Sequence, residues 1–306
     1  MTQNKDYTYH NPVMLQECLD GLNINPEGTY IDVTFGGGGH SRAIFEKLTT
    51  GRLISFDQDP DAKKNAWDAK NFDFVASNFA FIKNHLRLLG IKQVDGILAD
   101  LGVSSHQFDE GSRGFSIRGD YPLDMRMNQS SDIDAKHIVN TYEEDELISI
   151  LRKYGEVKSP GKVAGTICRA RSRKEIETTG ELNEILLPIA PARKENKFLA
   201  QIYQAIRIEV NNEMDVLEKF LAQTTEVLKP QGRLVIMSYH SLEDRLVKNF
   251  MKRGSFDGKI EKDFYGNILK PFTEVTRKPI TPTEEELELN NRSRSAKLRI
   301  AERNDD

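Results

Sequence analysis

The chain has 306 residues, 38% of them hydrophobic and 29% charged, enough for one large domain or two smaller ones with a substantial core. A formal net charge of −4 argues against a protein coated in nucleic acid, so any such binding must rest on local patches. Cys18 and Cys168 form no C-x-x-C pair and suit a reduced cytosolic setting, no apolar run approaches a membrane span, and Met1 to Met14 lacks the hydrophobic core of a signal peptide.

In chain order, His10-Asn11-Pro12-Val13 leads into a short predicted helix, Met14 to Leu22, ended by Gly21 and Asn23. Thr29 to Ser41 follows: a β-branched and aromatic run, four consecutive glycines (Gly36 to Gly39), then a helical segment with Ala43, Ile44 and Leu48 on one face. Strand, glycine turn and helix together are the layout of a nucleotide-binding α/β fold. The glycines let the backbone approach a ligand closely, and the helix start offers N–H groups to it. A Gly-x-Gly-x-x-Gly fingerprint fails, because its last position falls on Ser41 or Arg42. A P-loop fails too, since no lysine follows the glycines. What fits is an acid followed by alternating small residues, Asp32, Thr34, Gly36 and Gly38. That spacing resembles the first motif of S-adenosylmethionine-dependent methyltransferases, with Thr34 where glycine is more usual.

Arg52 to Phe56 is the second predicted strand, with Asp57 at its carboxyl end. A carboxylate there can accept both hydroxyls of a ribose, or it can cap the turn Asp57-Gln58-Asp59-Pro60. Phe74 to Ser77 is the third strand, and Phe79 after it can stack on adenine or belong to the core. Gly96 to Leu101 is the fourth, apolar as a sheet buried on both faces requires, and it delivers Asp100 to the ligand edge. Asp32, Asp57 and Asp100 then converge on one crevice that favours a cationic ligand, such as a sulfonium.

After Asp100 the pattern changes. Gly102 to Ser116 is loop-like, and from Asp132 to about Ala190 the period is helical, with Leu147, Ile150 and Leu151 in one stripe and Val163, Ile167 and Ala170 in another. The expected organisation is therefore a sheet domain of residues 1–108 and 197–306 with a helical insertion from Asp109 to Asn196. Between Arg152 and Glu175, eight Lys/Arg stand against two Glu, which is either a solvated face or a basic RNA-facing side. A helix from Gln201 to Leu228 and a fifth strand, Arg233 to Ser238, carry Tyr239-His240-Ser241 to the ligand edge. Phe272 to Lys278 and Ala296 to Ala301 read as a final strand pair.

Carbon-5 methylation of a pyrimidine needs a cysteine nucleophile after the fourth or fifth strand, and neither cysteine stands there. Methylating an exocyclic base amine instead needs an acceptor for its N–H, and Asp100 is the obvious candidate. The Asp-Pro-Pro-Tyr loop common to amino-methyltransferases is absent, however, the loop here being Asp100-Leu101-Gly102-Val103. The residues alone stop at a methyltransferase with its acceptor open.

Seven segments, beginning with His10-x-Pro12-Val13 and Asp32-x-Thr34-x-Gly36-x-Gly38-Gly39-His40-Ser41, carry a resemblance that spans nearly the whole chain. The others are Asp100-Leu101-Gly102-Val103-Ser104-Ser105-x-Gln107, Arg113-Gly114-Phe115-Ser116, Pro122-Leu123-Asp124-Met125-Arg126-Met127, His240-Ser241-Leu242-Glu243-Asp244-Arg245, and Arg292 to Arg299. Together they resemble the bacterial small-subunit ribosomal RNA cytosine-N4 methyltransferase family. The resemblance implies a class I methyltransferase (Rossmann-like) doubly wound sheet with an inserted all-helical domain. It implies S-adenosylmethionine as cofactor, no metal, and as substrate a decoding-centre cytidine of 16S rRNA in the small ribosomal subunit. It also implies cofactor contacts at Gly38, Gly39, His40, Asp57, Phe79, Asp100 and Gln107. Asn291, His106, Ile206 and the stretch Ala192 to Ile202 depart from the family pattern, and they bear on RNA fit more than on the cofactor. Asp100 is the expected acceptor for the amine, with His240 second and a helix-capping histidine as its alternative. Arg113, Arg118, Arg126, Arg292, Arg294, Lys297 and Arg299 are the candidates for phosphate contacts. The oligomeric state, a homodimer included, is left open.

Overall fold

Short apolar runs, three of the four ending in an acid, alternate with turns and helices to build the first half of the sheet unit. In the computed structural model, which describes residues 12–266 and 268–305, these elements are α1 (Leu15–Leu22), β1 (Thr29–Asp32), α2 (Gly39–Lys47), β2 (Arg52–Asp57), β3 (Phe72–Ala76), α3 (Ile82–Leu88) and β4 (Val94–Asp100). His10 and Asn11 lie outside the described residues. A second run of elements follows: α4 (Ser105–Asp109), α5 (Ala135–Thr141), α6 (Glu144–Lys153), α7 (Pro160–Arg171), α8 (Thr179–Leu186) and α9 (Glu195–Val210). The chain closes with α10 (Glu213–Val227), β5 (Leu228–Ser238), α11 (Ser241–Arg253), β6 (Phe272–Glu274), α12 (Glu284–Leu289) and β7 (Lys297–Arg303).

The seven strands form one sheet in the order β3-β2-β1-β4-β5-β7-β6. From β3 to β5 the neighbours are parallel, whereas β7 runs antiparallel to both β5 and β6. This is the α/β class I methyltransferase sheet expected from the sequence. The order reverses between β1 and β4, so the crevice at their carboxyl ends is the topological switch point where such folds bind ligands. Asp32 and Asp100 end those two strands. Ile31, Leu53, Ile54, Ile97, Leu98, Val235 and Ile236 are fully buried, as a doubly covered sheet demands.

Several boundaries differ from the sequence reading. Gly21 lies inside α1, where a Cβ would sit 2.8 Å from Ile300, so this glycine permits close packing and Asn23 (φ 47°) ends the helix. The long helix predicted from Gln201 to Leu228 is two helices, broken where Asn212 takes φ 49°. Lys229 to Gly232 falls within β5, but pairing jumps from Val94↔Leu228 to Gly96↔Arg233, so the segment bulges from the ladder. The predicted loop Gly102 to Ser116 contains α4 and a 3-10 turn at Gly111–Arg113.

The chain divides into two compact units. One comprises the described residues up to Gly102 together with those from Asp215 onward, and the other is Val103–Met214. The sequence reading placed α4 and α9 with the sheet. In the structure α9 buries Leu199, Ile202, Tyr203, Ala205 and Ile206 in the same cluster as Leu147, Ile150, Leu151, Val163 and Ile167. Shared apolar burial, not position in the chain, sets the membership. No helix of the described residues is long and apolar enough to cross a membrane.

Candidate functional site

The glycine turn is tied down by the acids around it. Asp57 at the end of β2 accepts the Gly36 N–H (2.7 Å) through one oxygen and the Asp59 N–H (2.8 Å) through the other. Each oxygen keeps a further lone pair for a ligand hydroxyl. The ribose and turn-capping readings of Asp57 are thus compatible in one side chain. Burial pushes its carboxyl up to about 6, against the lowering effect of those two N–H donors.

Asp32 does not face the crevice in the way the sequence suggested. It is 1% exposed, and its oxygens accept from the Thr34 N–H and hydroxyl (3.0 and 3.3 Å) and from the Ser41 hydroxyl (2.6 Å). Its task is to hold strand end, turn and helix start together; burial raises its pKa as well.

Gly36 (φ 51°) and Gly38 (φ 79°) both occupy the left-handed region, and a Cβ on Gly38 would stand 2.9 Å from the Phe35 ring. Gly38 is required by the turn itself. Gly39 is required for a different reason: the space a Cβ would take is filled by Pro12, whose Cγ would be 2.4 Å away. The first N–H groups of α2 lack intrahelical acceptors, as at any helix start.

Asp100 is the centre of the remaining polar groups. Its backbone N–H donates to the Thr34 hydroxyl (2.7 Å), and its carboxylate accepts the Tyr239 hydroxyl at 2.8 Å. The other oxygen is 3.8 Å from His40 Nδ1. His40 Nε2 lies 3.0 Å from the Val13 carbonyl and must carry a proton to bond to it. Nδ1 therefore faces Asp100 as a lone pair unless the imidazole is charged. Burial again pushes the Asp100 carboxyl up to about 6, only partly offset by His40 and the Tyr239 hydrogen bond. Its side chain remains 23% exposed, enough to be reached. Tyr239, which the sequence carries to the strand end without a marked role, belongs to this cluster; it stands two residues beyond Met237, the partner of Asp100 in the ladder.

Among the described residues, none of Asp32, Asp57 and Asp100 has a lysine or arginine as ion-pair partner. Acids at the glycine turn without a lysine or arginine partner fit a cationic ligand. The open glycine turn, the helix start and the diol-ready carboxylate fit the rest of S-adenosylmethionine. Phe79 follows β3 at the same edge and packs edge-on against Phe220 (5.2 Å between centroids).

Most of the other expected site residues have partners of their own within their units. His240 is the N-cap of α11: its Nδ1 accepts the Glu243 N–H, and Nε2 lies 3.1 Å from Glu243 Oε1. That is the capping alternative. Gln107 belongs to the second unit, where its side-chain oxygen accepts the Ser104 N–H and closes the capping box of α4. Arg113 is 1% exposed and donates to the carbonyls of Arg126 and Met127 (2.9 and 3.1 Å), so it clamps the interior and cannot reach a phosphate. Arg113→Ala should cost the second unit about 2–4 kcal/mol in urea unfolding, by orphaning buried carbonyls and leaving a cavity, without changing the salt dependence of RNA binding. Arg126 forks onto Asp124 and the Ser131 carbonyl. Lys297 and Arg299 share Asp244 (3.2 and 2.7 Å); burial acts to raise that carboxyl, yet the two cations win and lower it. Arg118, Arg292 and Arg294 are exposed.

The chain also has recognisable relatives. The family model described as "MraW methylase family" matches residues 7–304. The chain is 55% identical over 302 residues to a Bacteroides thetaiotaomicron protein named ribosomal RNA small subunit methyltransferase H, covering 98% of this chain and 99% of that one. A Flavobacterium johnsoniae protein of the same name is 57% identical over 296 residues, covering 96% and 98%. Among solved structures, an rRNA methylase from Streptococcus thermophilus aligns over 95% of each chain at 10% identity, with a TM-score of 0.42.

Proposed function

Because the chain belongs to the MraW methylase family, we propose that it transfers a methyl group from S-adenosylmethionine to the N4 amine of a decoding-centre cytidine in 16S rRNA. The observation that carries the donor assignment is the set of buried acids at the glycine turn with no lysine or arginine paired to them among the described residues. Bound there, the donor supplies an electrophilic methyl group on a sulfonium. Asp57 receives the ribose hydroxyls, Phe79 lies against the adenine, and the backbone of Gly36 to His40 lines the remainder. Asp32, though it binds nothing directly, contributes negative charge beneath the turn.

The amine of cytosine is a poor nucleophile because its lone pair is delocalised into the ring. Asp100 offsets this by accepting an N–H hydrogen bond, which returns density to nitrogen as the N–C bond forms. The displaced proton passes to the Asp100 oxygen beside His40 Nδ1. Tyr239 keeps the carboxylate in place while this happens, and Thr34 holds the backbone beneath it. The cytidine must leave its stack to reach this depth.

RNA recognition by the second unit rests on its basic side. Arg152, Lys158, Lys162 and Arg173, at the end of α6, on either side of the start of α7 and just beyond its end, are all exposed. Replacing all four with alanine should lower the slope of log K against log salt by about 3, near one unit for each phosphate no longer neutralised. An unchanged slope would make this face a merely solvated one. The overall assignment is tested by incubating the protein with labelled donor and 30S particles from a strain lacking the enzyme. Label in N4-methylcytidine is the expected result, and label in any other nucleoside or in protein overturns it.

A further inference from the structure

Between α11 and β6 the chain forms a projecting hairpin that the methyl-donor crevice does not use. Leu269 N–H bonds to the Glu261 carbonyl (2.9 Å), Lys262 and Ile268 form an antiparallel bridge, and the turn closes with Gly266 N–H on the Asp263 carbonyl (3.0 Å). The Asp263 carboxylate also accepts the Tyr265 N–H at 2.8 Å, so the tip has a defined backbone. At that tip stand Phe264, 98% exposed, and Tyr265, 86% exposed. Their rings meet edge to face, with centroids 5.8 Å apart, and stand clear of the apolar core.

Two aromatic rings held almost wholly in water are costly unless something covers them, since each would otherwise bury a large apolar area. The surroundings indicate what the cover is. Between Lys252 and Lys278 seven Lys/Arg stand against four Asp/Glu, a local excess of positive charge in a chain of net charge −4. Asp257 and Lys259 pair with each other (2.8 Å), taking one charge of each sign out of that count, and Asp263 accepts from its own turn. Lys262 is exposed at the tip's base. Bare rings beside an exposed lysine are the elements of a single-stranded nucleic-acid platform, where a base stacks and its phosphates meet the cations.

We infer that the Phe264–Tyr265 hairpin tip is a stacking platform for an unpaired base of the RNA substrate, separate from the base that is methylated. The inference rests on the RNA reading above and extends it to a second contact. Because the two rings project into water, their substitution leaves the sheet intact, and thermal midpoint and S-adenosylhomocysteine affinity will be unchanged in the variants.

The test measures binding of 30S particles lacking the modification. Phe264→Ala combined with Tyr265→Ala should weaken binding about tenfold or more, as expected on removing at least one base–aromatic stack. Phe264→Trp should retain affinity, with its indole emission quenched as the particle is added. Short-wavelength irradiation of the wild-type complex should couple a nucleotide to Phe264 or Tyr265, detectable by mass spectrometry. Unchanged affinity in the double variant overturns the inference. Weakened binding with neither quenching nor a nucleotide adduct also overturns it, and identifies a protein surface as the cover. A wild-type protein that binds no 30S particle fails earlier, at the RNA reading itself.

Discussion

Asp100→Ala will lower kcat by about two to four orders of magnitude, the usual contribution of a positioned proton acceptor, while leaving the affinity for S-adenosylhomocysteine within a few-fold of wild type. The variant should fold, because the strand end is also held by its backbone N–H on Thr34. Normal turnover would remove Asp100 from the chemistry. The pH profile gives a second check. With the carboxyl at about 6, activity should fall as pH drops below that value, since the acceptor must be ionised. Tyr239 donates to this carboxylate and lowers its pKa, so Tyr239→Phe should move the acid limb to higher pH.

The same shift has a consequence for stability. The folded-state value of about 6 lies above the ordinary carboxyl value of 3.8, so protonation favours the folded state. That contribution is complete below about pH 4 and is lost as pH rises through 6. Asp100→Asn should therefore be more stable than wild type at pH 7.5, by on the order of 2–3 kcal/mol, and the gap should narrow between pH 6 and 4. A gap that is absent or independent of pH would contradict a desolvated carboxylate at this position.

The other large effect is on donor binding. Asp57→Ala removes the acceptor for the ribose hydroxyls and releases the Gly36 and Asp59 N–H groups. Hydrogen bonds to a charged partner contribute about 1.5–3 kcal/mol each, so losing two should raise the Kd for S-adenosylhomocysteine by about a hundredfold or more, read by calorimetry. At saturating donor, kcat should fall far less than in Asp100→Ala. Equal affinity in the variant would leave Asp57 as a cap of the turn and nothing more.

Much of the candidate site was legible because its determinants are local. Strand, glycine turn and helix follow from residue type in one short segment, and Asp57 and Asp100 were found as acids at predicted strand ends. What misled was inference from residue type without burial. Asp32 looked like a crevice acid, but its oxygens are taken by Thr34 and Ser41. Arg113 and Arg299 looked like phosphate contacts but are buried against carbonyls and a carboxylate of the chain itself, whereas Arg126 and Lys297 pair with carboxylates and stay partly exposed. A basic residue reads the same in sequence whether its partner is a phosphate or a neighbour far along the chain.

The sequence by itself determined the sheet's strands, the glycine turn and the acids at the strand ends, since backbone freedom and apolar periodicity act over a few residues. Only the tertiary structure decided the pairing of Tyr239 with Asp100, across 139 positions, and the inclusion of α9 in the helical core. It also separated the two glycine roles, Gly38 serving the turn and Gly39 making room for Pro12. Those outcomes depend on which side chains meet once the chain has closed on itself, and proximity between distant segments leaves no mark on the local pattern.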